Sequence, residues 1–186
     1  PHGPRAAGAD IRMVYSPLDA LELARKNPTR EVVFFALGFE TTAPSTALTV
    51  LRAAREGIKN FSLLCQHILI VPTLRALLMQ PDFMVDGFIG PGHVAMVTGL
   101  QPYDFVASTF HRPFVVAGFE PLDILQSLLM VLRQLESGQA KVENQYARVV
   151  PPDGNPAALT AMRQVYETRA DSAWRGLGTM AFSGLQ

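Results

Sequence analysis

Two apolar, β-rich runs in this chain end in the same tripeptide. They are Phe34-Phe35-Ala36-Leu37-Gly38-Phe39-Glu40 and Phe114-Val115-Val116-Ala117-Gly118-Phe119-Glu120, eighty residues apart. Each is followed by a proline and a helical pattern. A short strand that stops at glycine and opens into a helix is the unit from which α/β proteins build their ligand crevices. A carboxylate at the same point of two such units points to a shared crevice.

The rest of the chain repeats the alternation. Residues 11–15 read as a first strand. Ser16-Pro17 supplies an N-cap with proline at the first helical position, for a helix ending near Asn27. Residues 31–37 are continuous in Val and Phe and predict a strand buried on both faces. A helix follows to about Arg55, with Ala47, Leu48, Leu51 and Ala54 on one face and Gly57 as its stop. Strands are predicted at 60–65, 85–89 and 113–117, with short helices from Pro72 and over 94–98. The helix over 121–135 carries Leu122, Leu125, Leu128, Leu129, Leu132 and Leu135 at helical spacing. Beyond Gly138 the chain turns polar and extended through Val150. One more helix is predicted over 155–169, then a glycine-containing tail with Trp174 that needs a partner surface to order.

Regular alternation predicts an α/β fold, a Rossmann-like three-layer arrangement with a parallel sheet of about four to five strands and right-handed crossovers. The expected division is 1–30, an irregular end (Pro1 to Gly8) with one strand left from a preceding α/β domain; 31–136, the α/β domain; and 137–186, a C-terminal extension. Lys+Arg and Asp+Glu are both 16, so the formal net charge is zero. No block of like charge marks a nucleic-acid groove or an anionic membrane surface. No apolar run reaches the ~18 residues that span a bilayer. Cys65 is the one cysteine, which excludes an internal disulfide framework and a multi-cysteine metal site.

In a parallel sheet the carboxyl ends of the strands share an edge. The loops there would gather Gly38, Glu40, Thr41, Thr42, Gln66, His67, Pro91, Gly92, His93 and Glu120 beside helix N-termini. Glu40 and Glu120 fit an acid/base pair, acceptors for a docked loop, or plain stabilisation of their own helices. Thr41 and Thr42 fit ligand-binding hydroxyls or simple N-caps. His93 fits a proton shuttle, a metal ligand or a hydrogen-bonded turn residue. Cys65 and His67 are too few for a zinc site, and Cys65 reads as an inert core thiol. The signatures Gly-x-Gly-x-x-Gly, Walker A, Gly-x-Ser-x-Gly and His-Glu-x-x-His are absent.

Several motifs in order resemble one family. They are Gly38-Phe39-Glu40-Thr41-Thr42-Ala43-Pro44, Pro91-Gly92-His93-Val94, Val116-Ala117-Gly118-Phe119-Glu120-Pro121-Leu122-Asp123, Val142-Glu143-Asn144-Gln145-Tyr146-Ala147-Arg148-Val149-Val150 and Trp174-Arg175-Gly176-Leu177-Gly178. Together they are similar to the HypD family of NiFe-hydrogenase maturation factors, over nearly the whole chain. The resemblance implies a cytoplasmic scaffold that acts with HypC, on which iron acquires cyanide and carbon monoxide ligands, with HypE delivering cyanide. It implies two related α/β domains around a cleft and a region holding a 4Fe-4S cluster. It adds Glu143, Gln145 and Tyr146 to the cleft-lining or partner-facing residues. The chain is about half the family's length and lacks its cysteine motifs. A central piece is therefore expected, supplying one wall of the cleft and holding neither iron nor cluster by itself, with the other domains of its own chain as partners. Ala95 stands where the family pattern leads one to expect serine, which puts an essential hydroxyl there in doubt. Two other classes of function stay open: a self-standing small α/β transferase or hydrolase using Glu40 and His93, and a docking module without chemistry.

Overall fold

The computed structural model describes residues 8–186. The expectation for Pro1 to Ala7 lies outside them. The first helix, α1 (Pro17–Lys26), begins as its sequence dictates. Ser16 Oγ accepts from the Leu18 amide, and the Asp19 carboxylate accepts from the Ser16 amide. That reciprocal cap satisfies two of the donors a helix start leaves free. Strand β1 (Val32–Gly38), helix α2 (Ala43–Arg55) and strand β2 (Phe61–His67) then form a parallel crossover unit, with α1 and α2 side by side against the two strands. Helix α3 (Ile70–Leu78) leaves the end of β2.

A second unit follows. Strand β3 (Phe88–Pro91), helix α4 (Gly92–Thr98), a 3-10 turn (Gln101–Tyr103), helix α5 (Asp104–Ser108), strand β4 (Phe114–Ala117), helix α6 (Pro121–Glu136) and strand β5 (Val142–Asn144) build a parallel sheet in the order β3-β4-β5. Every residue of the central strand β4 is buried. Tyr103 stacks on Phe114 at 4.7 Å, a contact worth about 1 kcal/mol beyond its area. Helix α3 ties the units together. Its Leu78, Val71 and Leu74 pack into the core around Ala95, Tyr103 and Phe114.

Helix α7 (Pro156–Val165) returns to the first unit, where Ala161 and Tyr166 pack against Ala43 and Ala47 of α2. The antiparallel hairpin β6 (Thr168–Trp174) and β7 (Gly178–Leu185) closes beside β2. Leu69 donates to the Ser183 carbonyl at 2.8 Å, and Arg169 reaches the Cys65 carbonyl at 3.0 Å.

The α/β class with parallel strands flanked by helices is present, and the five parallel strands fall into two sheets. Four details differ from the sequence expectations. Residues 11–15 form no strand and pair with no neighbour. Strand β1 is not buried on both faces. A two-stranded sheet has helices on one side only, so Val33, Phe35, Leu37 and Leu64 stand exposed on the other. Helix α2 buries Ala43, Thr46, Ala47, Thr49 and Ala53, leaving Leu48 outside. The helix expected over 155–169 ends at Val165, and the tail orders itself as a hairpin against the first unit rather than awaiting a partner. Among the described residues no helix is long and apolar enough to cross a membrane.

Candidate functional site

The two Gly-Phe-Glu turns leave the carboxyl ends of β1 and β4, as their sequence implies, but their carboxylates meet different surroundings. At the first turn Gly38 adopts φ +127°, and a Cβ there would run into the Thr42 hydroxyl, so the bend requires glycine. The chain then turns Glu40 inward until it is 3% exposed. Glu40 Oε1 accepts from the Ile70 amide at 2.9 Å, the first residue of α3. The carboxylate therefore caps α3, the helix that ties the two units together, and not its own helix. Its Oε2 is buried with no partner. Burial pushes the Glu40 carboxyl above its ordinary range, opposed by the amide bonds. Its charge also lies close enough to act on Tyr103, a buried phenol that lies beside the Thr98 side chain. Burial first, with Glu40 adding to it, drives that phenol up to about 12. Glu40 thus stands at the junction of the two units.

His67, at the end of β2, is sealed beside the same turn. Its Nδ1 lies 3.4 Å from the Gly38 carbonyl and its Nε2 lies 3.3 Å from the Thr46 hydroxyl. A carbonyl only accepts, so Nδ1 carries the proton. The ring meets Tyr166 edge-on at 5.8 Å, and burial lowers its pKa, favouring neutral imidazole. Thr42 occupies the N-cap position of α2, yet its hydroxyl caps nothing; it donates back to the Phe39 carbonyl at 3.2 Å. Thr41 is exposed, and Gln66 lies exposed on the bare face of β2. Phe39 packs on Trp174 at 6.1 Å, so the hairpin flanks this turn.

The second turn is open. Glu120 holds the N-cap position of α6 without capping it, and its side chain is exposed, 3.9 Å from Arg148. The inward carboxylate here is Asp123, one turn later. Arg148 grips it with two bonds, Nη1 to Oδ1 at 2.8 Å and Nη2 to Oδ2 at 2.7 Å. Gln145 Nε2 adds a third at 2.9 Å, while Gln145 Oε1 accepts from the Gly118 amide at 3.3 Å. Arg148 first, then Gln145, holds the Asp123 carboxyl down to about 2. Gly118 is required because a Cβ would enter the space of the Asp123 carboxylate.

Above this network lies an exposed platform. His93 follows Pro91 and Gly92 at the start of α4; its ring packs on Phe119 at 4.7 Å and near Tyr146 at 6.2 Å. Arg148 lies over the Tyr146 ring at 4.6 Å. Gly92 has to be glycine because the Ala117 carbonyl fills the place of its Cβ. Glu143 does not join the platform. It sits mid-strand in β5 and accepts from Gln134 of α6.

The structure therefore gathers the sealed Glu40 and His67 with Gly38 and the exposed Thr42 of the first turn in one cluster, and Gly92, His93, Glu120, Gln145 and Tyr146 in a second, open cluster. No side-chain hydrogen bond or ion pair joins them among the described residues. Sequence reasoning passed over Asp123, Arg148 and Phe119 as site residues, although all three lie within motifs it had singled out. An aspartate one turn into a helix, followed by a Gln and an Arg three residues apart, was the available signal. Cys65 is half-buried in β2. Among the described residues no three His, Cys, Asp or Glu side chains converge as metal ligands. With Cys65 as its single thiol, the donor set of this span does not fit an iron–sulfur cluster.

Comparison with known proteins identifies the architecture's lineage. The family model HypD, described as "Hydrogenase formation hypA family", matches residues 2–186. The chain is 64% identical over 182 residues to the hydrogenase maturation factor HypD of Rhodobacter capsulatus, covering 98% of this chain and 48% of that protein. It is 56% identical over 181 residues to the HypD of Escherichia coli (strain K12), covering 97% and 48%. It is 47% identical over 188 residues to HypD2 of Bradyrhizobium diazoefficiens, covering 98% and 50%. The chain spans about half the length of the curated relatives it matches. By the extent of the family match and the identity across nearly its whole length, this chain belongs to the HypD family.

Proposed function

We propose that this chain is part of a hydrogenase maturation scaffold and supplies one wall of a cleft in which iron, as cargo, acquires cyanide and carbon monoxide ligands. In this reading it works in the cytoplasm with HypC, and HypE delivers the cyanide. Thiolates that hold the iron, and the ligands of a 4Fe-4S cluster, come from polypeptide outside this span. Family membership supports the maturation role. The observation that carries the site reading is the exposed His93 imidazole, propped on Phe119 at 4.7 Å beside the Asp123–Arg148 network. A fixed, solvent-facing imidazole can hydrogen-bond to a cargo ligand or move a proton beside it. Glu40 has the positioning part: it fastens the first turn to the start of α3.

A docking surface without chemistry is the second reading, favoured by the exposure of Phe119 next to His93 and of Leu122 in the following helix. A self-standing enzyme has less behind it. Two cavities, of about 440 and 340 Å³, are lined by other residues, the first along β1 and α1 and the second between α2, β2 and Tyr166.

Substituting His93→Ala in the complete protein tests the choice. The expected result is loss of hydrogenase maturation with HypC co-purification retained. Normal maturation by His93→Ala would remove the chemical role. Loss of HypC capture by both His93→Ala and Phe119→Ala would replace it with docking.

A further inference from the structure

Helix α6 is inverted relative to its sequence pattern. The residues it buries against β3 and β4 are Asp123, Ser127, Val131 and Gln134. The leucines point the other way, with Leu122 at 74%, Leu125 at 64% and Leu132 at 52% exposure. With Leu122 as position a of a heptad, Leu122 and Leu129 fall at a, Leu125 and Leu132 at d, and Leu128 and Leu135 at g. The buried residues fall at b, c and f, the opposite side. One side of α6 is thus committed to its own sheet, and the other carries the three-sevenths apolar stripe of a helix that faces a core. The bare stripe is on the order of 600 Å², at the upper end of the largest patch a monomer ordinarily leaves in water.

We infer that this stripe is covered by two packed helices from the part of the polypeptide that lies outside the span described, so that α6 is an internal layer of the complete protein. The width of the stripe selects the occupant. A second copy meeting this stripe with its own α6 would make a two-helix seam, which uses a and d while e and g carry charge. Here g is Leu128 and Leu135, which such a seam would leave in water. A groove between two helices covers a, d and g together. The relatives carry about as much polypeptide again beyond the matched span, which is room enough for such a pair.

Hydroxyl-radical footprinting of the complete protein, read by mass spectrometry on the peptide containing residues 121–136, measures the coverage directly. Oxidation of the leucines is expected to lie at least about fivefold below that of the same peptide in urea, independent of protein concentration, with light scattering giving the same mass throughout. A smaller difference would mean the stripe faces water and would overturn the inference. So would protection that disappears on dilution as the mass halves, which assigns the stripe to a second copy. Protection that arises only when other maturation proteins are added would assign it to a separate partner, with the same consequence.

Discussion

Glu40 offers the sharpest test of how this structure holds its first turn. Replacing it with alanine removes the acceptor for the Ile70 amide at the part-buried start of α3. An unsatisfied buried donor costs about 1–3 kcal/mol. The one lost methylene adds ~0.8 kcal/mol. The expected destabilisation is therefore about 3 kcal/mol. Glutamine keeps a carbonyl acceptor in the same place and should cost under ~1 kcal/mol. The pH dependence separates the two effects. Because burial raises the folded carboxyl's pKa above its ordinary value of 4.5, the folded state binds this proton more tightly than the unfolded state. Its contribution is full below pH 4.5 and is lost as pH rises through the folded pKa, at no more than ~1.4 kcal/mol per pH unit. Urea unfolding between pH 4.5 and 8, followed by the single tryptophan, Trp174, which packs on Phe39, reads this turn. The difference between wild type and Glu40→Gln should narrow steadily in favour of Gln as pH rises. A flat difference, or equal losses in Gln and Ala, would refute the buried-cap reasoning.

Other substitutions probe the remaining parts. His67 has the opposite sign: its folded pKa lies below 6.5, so its stability contribution is present above pH 6.5 and lost as pH falls, and His67→Gln should flatten that acid limb in the same unfolding series. Asp123, held at about 2, loses its contribution between pH 4 and 2 in the wild type; Arg148→Met should move the acid-unfolding midpoint, followed by circular dichroism, to higher pH. Gly118→Ala should cost about 2–3 kcal/mol in urea unfolding, because the added methyl meets Asp123 and the Tyr146 ring, both fixed in place.

Element positions were legible where local chemistry settles them. Ser16-Pro17 set the start of α1, and Pro121 and Gly138 bracketed α6. What each element buries was harder to read. A run such as Val32 to Leu37 is apolar on both sides, and only the number of neighbouring strands decides whether both are covered. The leucine stripe of α6 pointed to the apolar side as the buried one. The sheet instead takes the polar stripe, because Gln134 is satisfied by Glu143 and Lys141, and Asp123 by Arg148. The hairpin of the tail was hidden by Gly176 and Gly178 at its turn and by Phe182, whose φ of +54° interrupts the alternation. At the candidate site, the gathering of motif residues at strand ends followed from parallel topology. Their separation into a sealed and an open cluster did not, because it depends on what the neighbouring strand brings.

The two Gly-Phe-Glu turns show how that neighbour decides. Beside β1 runs β2, and the chain leaving β2 reaches the Ile70 amide just where Glu40 can cap it. The carboxylate is drawn inward and sealed. Beside β4 runs β5, and the chain leaving it brings Gln145 to the Gly118 amide and Arg148 to Asp123. The inward place is already filled by Asp123, so Glu120 is left in solvent. The same tripeptide therefore yields a structural carboxylate in one unit and a free one in the other. Amide replacement should follow that division: Glu120→Gln should change stability by less than ~0.5 kcal/mol, as at other exposed sites. If Glu120→Gln instead altered hydrogenase maturation while leaving unfolding untouched, the open turn would be the one in contact with cargo or partner, with Glu120 joining His93 on the working surface.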